Sequence, residues 1–374
     1  MSRLNSFLTG IKVVDLSRHL PGPLASLSMA EMGAEVIKVE PPQGEEMRFI
    51  GPKGPHGRSA YFDAVNGGKK GIHLNLKEDA DRLRLLDLLS DADVLIESFR
   101  PGVMAKLGLS IDDLRNHAPQ LIICSLNGYG TESPLSQDVG HDLNYLAMNG
   151  LLSGTGTAEQ AVAPWPPIAD SAASLYGLTT ILGALLERTR TGEGCHVEVA
   201  LADSVMPLMA FSLADLGLKG EGTPRGLDLL NGGAARYRTY VTADGKSIAL
   251  GAVEPKFWQA FCVAAGREDW LGRLNDPLPQ LALQEEVAAF IGGLTLDECN
   301  TRFGSVECCY NEVLPLSSAV ETPHIQARKL VVKGEEGDYQ ALYPAYVDGE
   351  PPKVRQPFES LEKEQNTEKE TTPV

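Results

Sequence analysis

Between residues 11 and 40 the chain reads strand, helix, strand, and that alternation restricts the fold more than any other feature. Ile11-Lys12-Val13-Val14-Asp15-Leu16 is alternating and β-rich, which predicts a strand. Pro21-Gly22-Pro23 breaks the chain and suits a helix start, where the N–H that proline lacks has no intrahelical partner anyway. Leu24 to Met32 has helical character with Gly33 as its cap, and Glu35-Val36-Ile37-Lys38-Val39-Glu40 is a second strand. Two strands joined through a helix pair in parallel with a right-handed crossover.

The pattern recurs. A helix is predicted at 79–89, strands at 93–97 and 121–126, an apolar helix at 171–189 and a strand at 196–200. The fold class is therefore α/β: a large Rossmann-like open-sheet domain, with ligand sites expected at the carboxyl ends of its strands. No Gly-x-Gly-x-x-Gly follows the first strand and no Walker lysine motif is present, so neither an NAD site nor a P-loop is expected. Gly217 to Gly233 is glycine-rich and reads as a linker. Tyr237 to Ala252 alternates around Ala243-Asp244-Gly245 as a hairpin, and helices at 255–265 and 282–292 complete a smaller α+β domain. The expected plan is 1–215 large domain, 216–235 linker, 236–318 small domain, 319–358 return segment to the large domain, and 359–374 disordered tail.

Composition narrows the partners. With 374 residues, 43% of them hydrophobic, the chain can bury cores for two domains. A net charge of −17 argues against nucleic acid, since phosphates would be repelled. The cysteines at 124, 195, 262, 299, 308 and 309 have no zinc-ligand spacing and read as reduced thiols of a cytoplasmic protein; no metal is expected. Met1 to Gly10 lacks a signal-peptide pattern, and no apolar stretch of about 18 residues is evident, so no membrane span is expected.

Two segments carry chemistry. Gly140-His141-Asp142-Leu143-Asn144-Tyr145 offers a histidine just before a helix-like run, and Ile168-Ala169-Asp170-Ser171 offers an acid. Such a pair suits a two-base site, one group removing a proton from a carbon and the other returning one. Asp170 also suits a plain N-cap for the following helix, and Glu254 before Pro255 suits a plain helix start. Gly140 and Gly150 are expected to leave room for a substrate beside the backbone.

Gly10 to Leu16, Pro21-Gly22-Pro23, Met32 to Glu40 and Phe99-Arg100-Pro101-Gly102-Val103 resemble the family III CoA-transferase (CaiB/BaiF) superfamily, and the resemblance runs over about residues 8–330. Within it, Gly140 to Tyr145, Asn231-Gly232-Gly233-Ala234 and Gly251-Ala252-Val253-Glu254-Pro255-Lys256-Phe257 look like the α-methylacyl-CoA racemases. The resemblance implies His141 and Asp170 as the proton-transfer pair, with Glu254 orienting or charging the histidine. It implies an acyl-CoA substrate, coenzyme A present only as part of that substrate, and an interlocked homodimer. Its active sites would lie between the large domain of one subunit and the small domain of the other. The sequence departs from the racemases at Ser171, where they usually carry Phe, and at Cys309-Tyr310-Asn311-Glu312-Val313, where they tend to have Val-Thr-Pro-Val.

A thioester α-hydrogen is acidic because the carbanion delocalises as an enolate, which backbone N–H groups at a helix start, Asp142 included, are suited to stabilise. Phosphates of CoA call for cations. Lys38 and Arg100 are candidates because each stands at or just beyond a strand's end, and Arg48, Lys69 and Lys70 are further ones. His19, His56, His73, His117, His196 and His324 read as surface or structural histidines. The competing readings are a CoA-transferase with Asp170 as nucleophile forming an aspartyl-CoA thioester, and a non-catalytic CoA-binding protein.

Overall fold

The computed structural model describes residues 2–54, 57–334 and 337–361; His56 and all of the expected tail beyond residue 361 lie outside them. The chain divides into two compact units. Unit 1 comprises Met1–Tyr145, Pro167–Val205 and Pro323–Val374, and unit 2 comprises Leu146–Pro166 and Met206–Thr322. Residues 146–166 and 206–215, expected in the large domain, therefore belong with unit 2, which runs on to Thr322.

Unit 1 is built on strands β1 (Lys12–Asp15), β2 (Glu35–Glu40), β3 (Lys70–His73), β4 (Val94–Glu97), β5 (Ile122–Asn127) and β6 (His196–Ala200). They run parallel in the order β3-β2-β1-β4-β5-β6, with a final short strand, Glu359–Ser360, beside β3. That final strand corrects the reading of a tail starting at 359. The β1–β2 crossover runs through helix α1 (Pro21–Glu31), which begins at Pro21 itself, with proline in its first turn. Helices α2 (Ala60–Asn66), α3 (Asp79–Ser90), α4 (Val103–Lys106) and α5 (Ile111–His117) follow. Val14, Leu95 and Ile123 from three neighbouring strands are buried with Leu85 and Leu89 of α3. Each such side chain contributes about 1.5–3 kcal/mol by leaving water.

Beyond β5 come α6 (Asp142–Met148), α7 (Leu151–Gly154) and α8 (Ile168–Thr191). Contrary to expectation, α8 is long and apolar enough, by length and composition, to cross a membrane; here it packs on α1 and β5. It starts three residues before the expected helix, so Pro167 is its N-cap and Asp170 lies in its first turn.

Unit 2 contains α9 (Ala210–Lys219) and the antiparallel sheet of β7 (Tyr237–Val241), β8 (Ser247–Gly251) and β9 (Tyr310–Glu312). Helices α10 (Pro255–Ala265), α11 (Leu281–Gly292) and α12 (Leu296–Phe303) cover that sheet's aromatic core. α9 and a short turn at Leu229–Asn231 occupy part of the stretch expected to be a linker. All six cysteines are free thiols.

Candidate active site

The order 3-2-1-4 reverses direction between β1 and β4. In open parallel sheets ligands bind outside the carboxyl ends of the strands at that switch point. A cleft of about 540 Å³ lies there, lined by Leu16, Ser17 and Arg18 after β1, Glu40 and Glu45 at and beyond the end of β2, Asn75 and Lys77 after β3, and Phe99 after β4. The Arg18 guanidinium sits 5.6 Å from the centre of the Phe99 ring, and its backbone N–H donates to Ser98 Oγ at 3.0 Å.

The same sheet edge carries the histidine and the acid. β5 ends at Asn127, whose Oδ1 accepts from Gly130 N–H at 2.6 Å and whose amide donates to Glu198 Oε1 at 2.8 Å. The loop then runs to His141, which is exposed just before α6. Its N–H donates to Asn144 Oδ1 at 3.0 Å while its carbonyl accepts from Asn144 N–H at 2.8 Å, fixing the helix start. Tyr145 is buried, donates from Oη to Gly140 O at 2.8 Å, and packs edge-on to Tyr129 with ring centroids 5.1 Å apart. A Cβ at Gly140 would lie 2.7 Å from Tyr129 Oη and 2.9 Å from Tyr145 Cε1. The space beside Gly140 is therefore taken by two tyrosine rings, not kept open for a substrate.

Asp170 is the third residue of α8 and is half-buried; its N–H donates to Asp142 Oδ1 at 3.1 Å. Asp142 thus caps the α8 N-terminus with its carboxylate, the capping role expected of Asp170. Burial first, and the Asp142 charge second, push the Asp170 carboxyl up to about 6, with His141 pulling the other way. His141, Asp142 and Asp170 thus form one electrostatic group. Arg100, exposed beyond β4, joins its margin: the Tyr145 phenol is pushed up to about 12 by burial, Tyr129 and Asp170, against the pull of Arg100.

The other expected cations are placed differently. Lys38 and Lys69 are fully buried. Lys38 Nζ donates to Ser17 O at 2.9 Å and faces Glu45 Oε1 at 3.4 Å. Lys69 Nζ donates to Asp15 Oδ2 at 3.2 Å, Pro23 O at 2.8 Å and Asn66 Oδ1 at 2.8 Å. As folded, neither presents its ammonium to a ligand, because each is enclosed among its own acceptors. Arg48 makes a bidentate pair with Glu40 and lies 4.1 Å from the Phe62 ring centre, and Lys70 pairs with Glu35 at 2.6 Å. Arg18 and Lys77 are the cations of the cleft itself, and the switch-point rule applied to the residue after β1 would have found Arg18. Glu254 belongs to unit 2, where it is the exposed N-cap residue of α10 without a side-chain capping bond.

A parallel 3-2-1-4-5-6 sheet with a cleft at its switch point and a His/Asp pair beyond β5 places the chain among the open-sheet α/β folds, with His141 and Asp170 as its candidate acid–base pair. The chain belongs to CoA-transferase family III, whose model matches residues 8–358. It is 33% identical to alpha-methylacyl-CoA racemase of Homo sapiens, over 88% of this chain and 84% of that one. It is also 33% identical to succinyl-CoA:glutarate CoA-transferase of Mus musculus, over 68% of this chain and 58% of that one. A CAIB/BAIF family protein from Brucella suis superposes with a TM-score of 0.83 at 26% identity, covering 94% of this chain and 95% of that one. The family is enzymatic and includes both racemases and CoA-transferases.

Proposed function

We propose that the chain is an acyl-CoA racemase or epimerase that moves a proton at the α-carbon of a 2-methylacyl-CoA thioester through an enolate. The observation that carries this reading is the grouping of His141 and Asp170, with Asp170 raised to about 6. A carboxyl in that range can both take a proton and give it back near neutral pH. In one direction Asp170 removes the α-proton and His141 delivers one to the other face; in the reverse direction the roles exchange. The Asp142 N–H, in the first turn of α6, is assigned to the developing enolate oxygen. Coenzyme A enters only as part of the substrate, its phosphates facing Arg18 and Lys77 in the switch-point cleft and Arg100 at the margin of the site.

Glu254 stays assigned to orienting His141, and a homodimer is part of the reading. Exposed apolar side chains on α8 (Leu175, Leu186) and on α9 (Phe211, Leu216, Leu218) are surface that a second copy would cover. Sedimentation of the purified chain at a monomer mass would remove that part.

The decisive measurement is α-proton washout from 2-methylacyl-CoA in heavy water, followed by NMR. The wild type is expected to exchange the α-proton, and His141→Ala and Asp170→Ala to lose on the order of 10²–10⁴ in rate. Full exchange in both variants would sink the assignment. The second reading, CoA transfer, draws on the transferase relative. There the Asp170 carboxylate attacks the thioester carbonyl, expelling CoA thiolate and leaving a mixed anhydride. The thiolate then attacks the aspartyl carbonyl, giving an aspartyl-CoA thioester and a free carboxylate. Hydroxylamine trapping of an acyl group on Asp170, with turnover only when a second carboxylic acid is present, selects it.

A further inference from the structure

Directly under the switch-point cleft lies a cluster of acidic and basic side chains withdrawn from water. Asp15, Lys38 and Lys69 are each 0% exposed, and Glu40 and Glu45 each 2%. With Arg48, which pairs with Glu40, the cluster holds three acids and three bases. Withdrawing charges from water is costly, and such a group contributes little to stability compared with well-packed apolar residues. Its geometry shows what it does instead. Asp15 Oδ1 accepts from the N–H of Ser17 at 2.9 Å and also from the Ser17 hydroxyl, while Lys38 donates to the Ser17 carbonyl. Glu45 Oε2 accepts from the N–H of His19 at 3.3 Å, and His19 is held at φ 63, a left-handed conformation that is strained for a non-glycine residue. Glu45 is itself fixed, its N–H donating to Glu40 Oε2 at 3.0 Å.

The residue between Ser17 and His19 is Arg18, whose side chain lies over Phe99 in the cleft. Both neighbours of Arg18 are therefore held by buried charges, and Lys38 joins the two holds, touching Ser17 on one side and Glu45 on the other. We propose that the Asp15–Lys38–Glu45 cluster is a positioning device that fixes the Ser17–His19 turn, and with it Arg18, for the nucleotide end of the coenzyme. Lys38 is its central positioning residue and acts through the turn, without touching the ligand. The inference rests on the reading above that the cleft takes coenzyme A.

The test uses the full-length chain, free CoA as the calorimetric probe, and 2-methylacyl-CoA for turnover. Lys38→Met removes the link but leaves the cluster one positive charge short. Lys38→Met/Glu45→Gln restores equal numbers of acids and bases and so separates charge balance from positioning, and Glu45→Gln alone is the mildest change. The expected result is a Kd for CoA, and a KM for the ester, raised at least about tenfold in both variants lacking Lys38 and about threefold in Glu45→Gln. The kcat at saturating ester should stay within about threefold throughout. A purely structural role would instead let the double variant regain both melting temperature and wild-type affinity, and that result overturns the proposal. Wild-type affinity in Glu45→Gln overturns it as well, should the variants lacking Lys38 not fold. Failure of the wild type to bind CoA at all overturns the reading of the cleft, and this proposal with it. Wild-type binding that is unchanged in the variants removes this proposal alone.

Discussion

The two units solve the problem of filling an interior in opposite ways. In unit 2, Phe261 stacks on Phe303 at 4.9 Å and on Trp258 at 5.5 Å between centroids, and Trp258 stacks on Trp270 at 6.3 Å. The only polar handle that Trp258 has, its indole N–H, donates to Trp270 O. In unit 1 an aliphatic core gives way, toward the carboxyl ends of β1 and β2, to Asp15, Lys38, Glu40 and Glu45, with the Lys69 side chain reaching Asp15 from just before β3. Apolar stacking is stabilising wherever it is placed, because it depends on area and fit. A buried ion cluster is tolerated only where each charge has its partner, and here it lies under the switch-point cleft. The difference is that unit 1 gathers a cluster of buried charged side chains beneath its cleft, while the core of unit 2 is aromatic.

That contrast can be broken most directly by cutting each interior once. Phe261→Ala should cost about 3–5 kcal/mol of stability, equally at pH 6 and pH 8, since no titrating group is involved. Asp15→Asn should cost a similar amount, about 3–5 kcal/mol, because it leaves buried lysines without their counter-charge, but this cost should depend on pH. Burial pushes Asp15 up, but Lys38 and Lys69 and the Ser17 and Ser26 hydroxyls outweigh it and hold the carboxyl far below the usual range, so it stays ionised across the experiment. Lys69 is lowered from 10.5 to about 7, by burial first, with Asp15 opposing and Lys38 adding to the fall. The unfolded chain binds more protons than the folded one between those values, so this group makes the wild type more stable as pH rises from about 7. Losing Asp15 lowers the Lys69 pKa further, so the penalty of Asp15→Asn should be larger at pH 6 than at pH 8. Denaturant titrations at both pH values decide it, and a pH-independent penalty would show that Lys69 does not titrate there.

A smaller effect of opposite sign sharpens the comparison. Asp170 is raised from 3.8 to about 6, so the folded state binds more protons between those values and stability falls as pH rises through that window. Above it, Asp170→Asn should stabilise the chain by about 1–2 kcal/mol, after allowing for partial exposure, while abolishing proton exchange. The same shift predicts an acid limb in the wild-type rate near pH 6 in the direction for which Asp170 is the base. Melting curves at pH 5 and pH 8 and a pH–rate profile test both; equal stability changes at the two pH values would contradict the raised carboxyl.

Much of this was readable beforehand. Strands 35–40 and 196–200 and helix 255–265 match their predicted bounds, because hydrophobic period and turn residues agree locally there. His141 and Asp170 were visible as a short block and a following acid, and the structure brings them into one electrostatic group. Strand β3 was not visible: Lys70-Gly71-Ile72-His73 carries little alternation, and its pairing with β2 is a long-range property. The buried lysines were hidden for a related reason. Lys38 reads as a cation available to a ligand at a strand's end until Ser17 and Glu45, from two other segments, are seen to enclose it. Ser171, noted as a departure from the racemases, uses its hydroxyl to bond Pro167 O at 2.6 Å inside the first turn of α8.

The short strand Glu359–Ser360 has a consequence for how the molecule is assembled. It pairs with β3 in register Glu359↔Lys70, and Phe358 seats against Gly71 so closely that any side chain at 71 would collide with its ring. Synthesis therefore delivers the strands of this sheet in two instalments, β1 to β6 first and Glu359–Ser360 only after Met206–Thr322 of unit 2. Until nearly 290 further residues have left the ribosome, β3 stands as an open edge with unpaired backbone groups, the kind of edge that invites pairing with another chain. Its Lys69-Lys70-Gly71 start, charged and without an apolar run, suits a strand that has to wait.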